Sequence, residues 1–217
     1  MSQIISVEGN IGSGKSTILK CLKNIRSNNG LEIIFVQEPV SEWDKIKDKN
    51  GVTILSKFYE NQEKYSFAFQ MMAYISRLSI LKDTIKKHPD AIIITERCLN
   101  TDRYVFAKML YDNGKLEDVE YQIYLNWFDH FSDMQNIQKV IYLKTSPETC
   151  FYRVNKRHRD GESNIPLEYL QSCHEYHEDM IKNINNDNNI LIINSDVDSD
   201  EDKTIIDKWI EIITAFI

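Results

Sequence analysis

Cysteine is sparse and unpaired in this 217-residue chain. Cys21, Cys98, Cys150 and Cys173 lie far apart, and none forms a Cys-x-x-Cys pair. That spacing argues against a zinc site or a disulfide framework and predicts reduced thiols. Long apolar runs are missing too. No stretch approaches the roughly 20 residues that cross a bilayer, so no membrane partner is expected. An excess of basic charge is also lacking. The net charge of −7 suits a polyanionic duplex poorly, and no nucleic-acid partner is expected. Because Met1-Ser2-Gln3 runs straight into an apolar strand, the expectation is a cytoplasmic protein without a leader. No linker and no internal repeat interrupts the chain, so residues 1–217 are read as one domain.

What remains is ordinary globular material, 42% hydrophobic and 27% charged, long enough for one α/β domain with a sizeable core. Short apolar runs alternate with helical patterns. Ile4–Val7, Leu31–Val36, Ala91–Thr95, Lys139–Leu143 and Ile190–Ile193 read as strands. Ser16–Ile25, Phe58–Ile85 and Asp207–Ile217 carry helical spacing. Ile92-Ile93-Ile94 and Leu191-Ile192-Ile193 are apolar on both faces, as buried parallel strands are. Strands separated by helices predict a doubly wound parallel sheet. The Asn-rich stretch Asn183–Asn189 reads as the loop before the last strand.

Between the first strand and helix stand Gly9-Asn10-Ile11-Gly12-Ser13-Gly14-Lys15-Ser16-Thr17, which satisfy G-x-x-x-x-G-K-[ST]. Glycines let successive backbone N–H groups face phosphate oxygens, and the helix that follows adds the positive end of its dipole. Lys15 suits the β- and γ-phosphates, and the Ser16 hydroxyl suits Mg²⁺. The motif predicts nucleoside triphosphate binding without separating kinases from other NTPases.

Three further features bear on chemistry. Glu38, in Gln37-Glu38-Pro39-Val40 with Trp43 following, ends the second strand, where parallel sheets border their ligand crevice. It reads as a general base or, equally, as a solvated loop carboxylate. Glu96-Arg97 ends the third strand and faces the same crevice by topology; the commoner fate of such a pair is a surface ion pair. Arg153, Lys156, Arg157 and Arg159 form a basic run. A phosphate-closing lid, a solvated helix face and a nucleic-acid patch all remain open for it, although Asp160 and Glu162 cut the local field.

Taken in order, these pieces resemble the deoxynucleoside kinase family, the group of deoxycytidine, deoxyguanosine and mitochondrial thymidine kinases. The similarity runs from Ile4 to about Ile181. It covers Gly9–Thr17, Glu38-Pro39-Val40 with Trp43, Phe67-Ala68-Phe69-Gln70, Glu96-Arg97, Asp102-Arg103-Tyr104 with Phe106-Ala107, and Ile165-Pro166-Leu167-Glu168-Tyr169-Leu170. The resemblance implies a three-layer P-loop nucleoside kinase fold: a five-stranded parallel sheet, helices on both faces and an arginine-rich lid over about residues 153–164. It implies ATP or another nucleoside triphosphate as donor, Mg²⁺, a small-molecule deoxynucleoside acceptor, a place in nucleotide salvage, and a homodimer formed through the long helices. Residue by residue, Glu38 is implied as the base toward the 5′-hydroxyl, and Arg97 as the arginine holding that hydroxyl. Lys15 is implied as the phosphate lysine and Glu96, with Ser16, as the Mg²⁺ residue. Tyr59 and Glu162 are implied at the sugar 3′-hydroxyl, Gln70 on the base, and Phe69 and Phe106 as rings about it. Arg153, Arg157 and Arg159 are implied as lid arginines.

Two departures stand out. Cys98 replaces the serine usual after Glu-Arg, which bears on helix entry and adds an oxidisable thiol. Gly161 replaces an acidic residue before Glu162, which predicts a looser lid. Arg77 and Asp102 match the pair found in deoxycytidine and deoxyguanosine kinases. Such a pair fills the space of a thymine methyl and offers hydrogen bonds to exocyclic groups, so deoxycytidine or a deoxypurine is expected over thymidine. The rivals are a nucleoside monophosphate kinase of the thymidylate kinase type, a non-catalytic P-loop subunit, and a regulatory P-loop ATPase or GTPase. The first would need arginines rather than a base. The second could dispense with Lys15, Glu38 and Arg97. The third lacks an Asn-Lys-x-Asp segment here.

Overall fold

The computed structural model describes residues 2–25, 27, 30–131, 137–157, 159, 161–162, 165–184, 189–197 and 203–217, without the side chains of 24 and 203. Asp160, with positions 158, 163 and 164 of the expected lid, and residues 185–188 of the Asn-rich stretch lie outside the described residues. β1 (Gln3–Glu8) leads through the glycine loop to α1 (Lys15–Cys21), a 3₁₀ turn (Leu22–Asn24) and β2 (Ile33–Val36). The short α2 (Val40–Trp43) and α3 (Ile54–Glu60) precede the long α4 (Gln62–Lys87). β3 (Ile92–Glu96) runs into α5 (Leu99–Thr101), a π-helical turn (Asp102–Ala107), α6 (Lys108–Asp112) and α7 (Asp118–His130). Then follow β4 (Ile137–Lys144), α8 (Pro147–Arg157), α9 (Leu167–Lys182), β5 (Ile190–Asn194) and α10 (Lys203–Phe216).

The five strands are all parallel, in the order β2-β3-β1-β4-β5. β1 is central, with Val7 opposite Glu96 on one side and Glu8 opposite Tyr142 on the other. The isoleucine run of β3 serves two cores because successive side chains alternate faces. Ile92 and Ile94 pack with Ile5, Val7, Leu19 and Ile213 of α10 on one face. Ile93 packs with Ile4 and residues of α4 and α7, including Tyr74, Leu78 and Phe128, on the other. All three isoleucines are fully buried, as their sequence predicts. The layered α/β fold is thereby the expected one.

Two local expectations fail. Phe58–Ile85 is not one helix. The chain breaks at Asn61 (φ −148, ψ 85), whose side chain accepts from Lys64 N and caps α4, while its own N–H closes α3 on Lys57 O. An asparagine that can hydrogen-bond nearby backbone favours such a cap over a helix interior. Leu191-Ile192-Ile193 is not buried on both faces either. β5 is an edge strand, and Ile192 is 57% exposed.

Candidate active site

Each strand of the sheet ends on one side of the molecule, and the chemistry-bearing residues follow those ends. The glycine loop leaves β1 with three left-handed residues. A Cβ on Gly9 (φ 143) would stand 2.7 Å from Leu143 O, and one on Gly12 (φ 84) would stand 2.6 Å from Cys150 O. Only glycine fits those two approaches. Lys15 opens α1 and is 4% exposed. Its Nζ donates to Gly9 O at 3.0 Å and Asn10 O at 2.7 Å. Burial, helped by the Arg97 charge and opposed by Glu96 and Glu38, brings its pKa down to about 7.

At the end of β3, Glu96 and Arg97 are both buried and do not bond each other. Glu96 Oε1 accepts from Ser16 Oγ at 2.7 Å, joining the two residues singled out for a cation. Arg97 is the one non-glycine with positive φ among the described residues (φ 63), a strained turn of the kind that collects at functional sites. Its N–H is held by Val7 O at 3.0 Å, its guanidinium lies 5.1 Å from the Phe106 ring centroid, and Nη1 donates to Glu38 Oε1 at 2.6 Å.

Glu38 follows β2 and is the meeting point. Arg77 Nη2, from α4, donates to the same Oε1 at 3.0 Å. Burial pushes the carboxyl upward, but Arg97, Arg77 and Lys15 outweigh it and hold the pKa at about 2. Arg77 also donates to Asp102 Oδ2 at 2.9 Å and to Glu96 O at 2.8 Å. Burial raises the Asp102 pKa despite that partner. Asp102 and Phe106 both sit on the π-helical turn, a distortion that recurs where side chains must be re-aimed.

A single cavity of about 810 Å³ gathers these groups. Its lining includes Glu38, Tyr59, Phe69, Gln70, Arg77, Arg97, Asp102, Phe106 and Glu162, together with Lys15, Ser16, Thr17, Glu96 and the run's arginines Arg153, Arg157 and Arg159. Gly9 and Asn10 do not line it. The Asn10 side chain instead donates to Leu170 O at 2.8 Å and accepts from Ile11 N, tying the loop to α9. Phe69 stacks on Phe58 at 4.6 Å and meets Trp43 edge-on. Tyr59 packs against Phe58 and Tyr169.

The basic run divides. Arg157 and Arg159 both donate to the buried Glu162 carboxylate, Arg159 at 3.2 Å. Arg153 docks instead on the backbone after β5, donating to Ser195 O at 2.9 Å and Val197 O at 2.7 Å. Ser195, Asp196, Val197, Ile206 and Trp209 also line the cavity, and the sequence reading passed over them. The rule that every strand's carboxyl end borders the crevice would have found the first three. Cys98 is 7% exposed, and burial together with the nearby Glu8 pushes its thiol pKa well up, so it makes a poor nucleophile. All four cysteines are free, as their spacing predicts.

A glycine cradle, a buried lysine, a hydroxyl–carboxylate pair and paired arginines on one carboxylate define a P-loop phosphotransferase. The chain belongs to the deoxynucleoside kinase family, whose model matches residues 5–217, enzymes that phosphorylate deoxynucleosides from a nucleoside triphosphate in nucleotide salvage. It is 36% identical over 194 residues to human deoxycytidine kinase, covering 80% of this chain and 73% of that one. It is 34% identical over 192 residues to the mitochondrial deoxyguanosine kinase of Xenopus laevis, covering 80% and 71%. It is 32% identical over 180 residues to human mitochondrial thymidine kinase 2, covering 82% and 64%. The resemblance expected from the ordered motifs is therefore correct, and the monophosphate kinase and non-catalytic readings are not favoured. Among the described residues, no helix is long and apolar enough to cross a membrane.

Proposed function

We propose that this kinase transfers the γ-phosphoryl of ATP to the 5′-hydroxyl of deoxycytidine or a deoxypurine nucleoside in preference to thymidine. The observation that carries the reading is the network on Arg77. One guanidinium holds Asp102, on the side of the predicted base site, and Glu38, the proposed base. An ion pair so placed fits exocyclic amino and carbonyl groups and leaves little space for a thymine methyl.

Glu38 would accept the 5′-hydroxyl proton through Oε2, because both arginines occupy Oε1. Arg97 would hold the reacting oxygen and neutralise developing charge. Lys15, Arg157 and Arg159 would lie along the phosphates. Ser16 and Glu96 offer hard oxygen donors 2.7 Å apart, which suits Mg²⁺. No cluster of three or more His, Cys, Asp or Glu occurs among the described residues, and Mg²⁺ needs none, since it takes most of its ligands from phosphate and water. When bound, the ion would supply charge neutralisation for the transferring phosphoryl group. Tyr59 and Glu162 would take the 3′-hydroxyl, Gln70 the base edge, and Phe69 and Phe106 its faces.

The reading extends to a single-domain cytoplasmic homodimer without a nucleic-acid partner. Exposed Val119, Ile123 and Trp127 form one stripe on α7, with Ile75 exposed on the neighbouring α4, which supports pairing through these helices. A competition assay with the four deoxynucleosides tests the specificity; thymidine as the best substrate overturns it. Light scattering tests the dimer.

A further inference from the structure

Gly161, where a looser segment is expected, is one of three glycines at which an added Cβ would meet a neighbouring atom closer than 3.0 Å. Its φ is 84, and a Cβ there would lie 2.9 Å from Ser56 Oγ, 3.2 Å from Ser56 N and 3.3 Å from Ser56 Cα. Two of those three atoms are backbone, and the third is itself fixed. Thr53 Oγ1 accepts from Ser56 N at 3.2 Å and lies 3.0 Å from Ser56 Oγ, so the first turn of α3 forms a firm wall. Tyr59 lies three residues along the same helix, on the face that Ser56 presents. The residue after Gly161 is Glu162, which is 5% exposed and whose carboxylate gathers Arg157 and Arg159. Its backbone is held by its own turn, with Glu162 N on Arg159 O and Ile165 N on Glu162 O.

We propose that Gly161 is a positioning residue: by seating against Ser56 without a side chain, it registers Glu162 against Tyr59 on α3 and so sets recognition of the sugar 3′-hydroxyl. The proposal rests on the reading of Tyr59 and Glu162 given above. Support comes from the cavity that Tyr59 and Glu162 both line, and beside that shared lining the Tyr59 hydroxyl pKa is raised by burial and next by the Glu162 charge. A side chain at 161 would lift the Glu162 turn off α3 by a few tenths of an ångström or force the left-handed backbone to change.

The test compares wild type, Gly161→Ala and Glu162→Gln on the best deoxynucleoside substrate and on its 2′,3′-dideoxy counterpart, with thermal melting as the check on folding. Gly161→Ala is expected to lower kcat/KM on the deoxynucleoside roughly tenfold, mainly through KM, and on the dideoxy substrate by less than about twofold. Glu162→Gln is expected to compress the same 3′-hydroxyl discrimination. If Glu162→Gln compresses it while Gly161→Ala lowers both substrates equally or neither, the positioning role is overturned and the reading of Glu162 survives. If Glu162→Gln leaves discrimination intact, both fall. Should the alanine variant not fold, Gly161→Asn tolerates the left-handed region, retains the added Cβ and carries the same expectations.

Discussion

Arg77 Nη2 stands 3.0 Å from Glu38 Oε1 while its Nε holds Asp102, so one guanidinium spans the proposed base-recognition and proton-transfer halves of the cavity. Residues tied through one buried group are not energetically independent. Changes meant to alter base choice will therefore be felt at Glu38, the proposed proton acceptor.

Glu38→Gln removes the proposed proton acceptor and keeps the shape. Its kcat is expected to fall by roughly 10²–10⁴-fold, with nucleoside affinity little changed. Steady-state turnover alongside calorimetric binding checks this, and unaltered turnover removes Glu38 from the role.

The low pKa of Glu38 fixes a pH dependence. Its folded value of about 2 lies below the ordinary carboxylate value of 4.5, so its contribution to stability is fully present above pH 4.5. That contribution is lost as pH falls toward 2, because protonation then costs the two arginine partners. Glu38 stays ionised throughout the working range, so as the proposed base it should give no acid limb in kcat/KM near pH 4–5. In Arg77→Met the carboxyl loses one cation, and its pKa should rise. The acid limb should then enter the measurable range in a pH–rate profile, and an unshifted profile would count against the pairing.

Lys15 works in the opposite sense. Its folded pKa of about 7 lies below the ordinary 10.5, so the buried charge destabilises the fold below pH 7 and is relieved as pH rises from 7 to 10.5. Lys15→Met should raise Tm at pH 6 by roughly 2–4 °C, about 1 kcal/mol, with the gain shrinking toward pH 10. Turnover should fall by at least about 10²–10³-fold in the same variant. Differential scanning calorimetry at the two pH values reads the first effect.

Arg77 and Asp102 form a buried ion pair, and such pairs fail badly when halved. Asp102→Ala alone should destabilise by roughly 1–3 kcal/mol, less than a fully orphaned charge because Glu38 still accepts from Arg77. Arg77→Met with Asp102→Ala should be better tolerated and raise thymidine kcat/KM relative to deoxycytidine by at least about tenfold. Urea midpoints and paired kinetics check both statements.

The local sequence determined much of this protein. A glycine-lysine-serine loop between an apolar run and a helical one could be little else, because only glycine accepts the approaches at Gly9 and Gly12. The isoleucines of β3 announced a strand buried on both faces because backbone pleating alone puts alternate residues into separate cores. Glu38 and Glu96 stood at strand ends, where topology directs them to one crevice. The tertiary structure alone decided the rest. Nothing in the spacing of Arg97, Arg77 and Glu38 says that two arginines share one carboxylate oxygen, since the three come from different elements. The helix break at Asn61 depended on a cap competing with a continuous apolar pattern, and the exposure of Ile192 on its strand lying at the sheet's edge. The seat of Gly161 on Ser56 lies between residues 105 positions apart in a chain numbered through. Close packing between distant segments is set by the whole fold, and only coordinates reveal it.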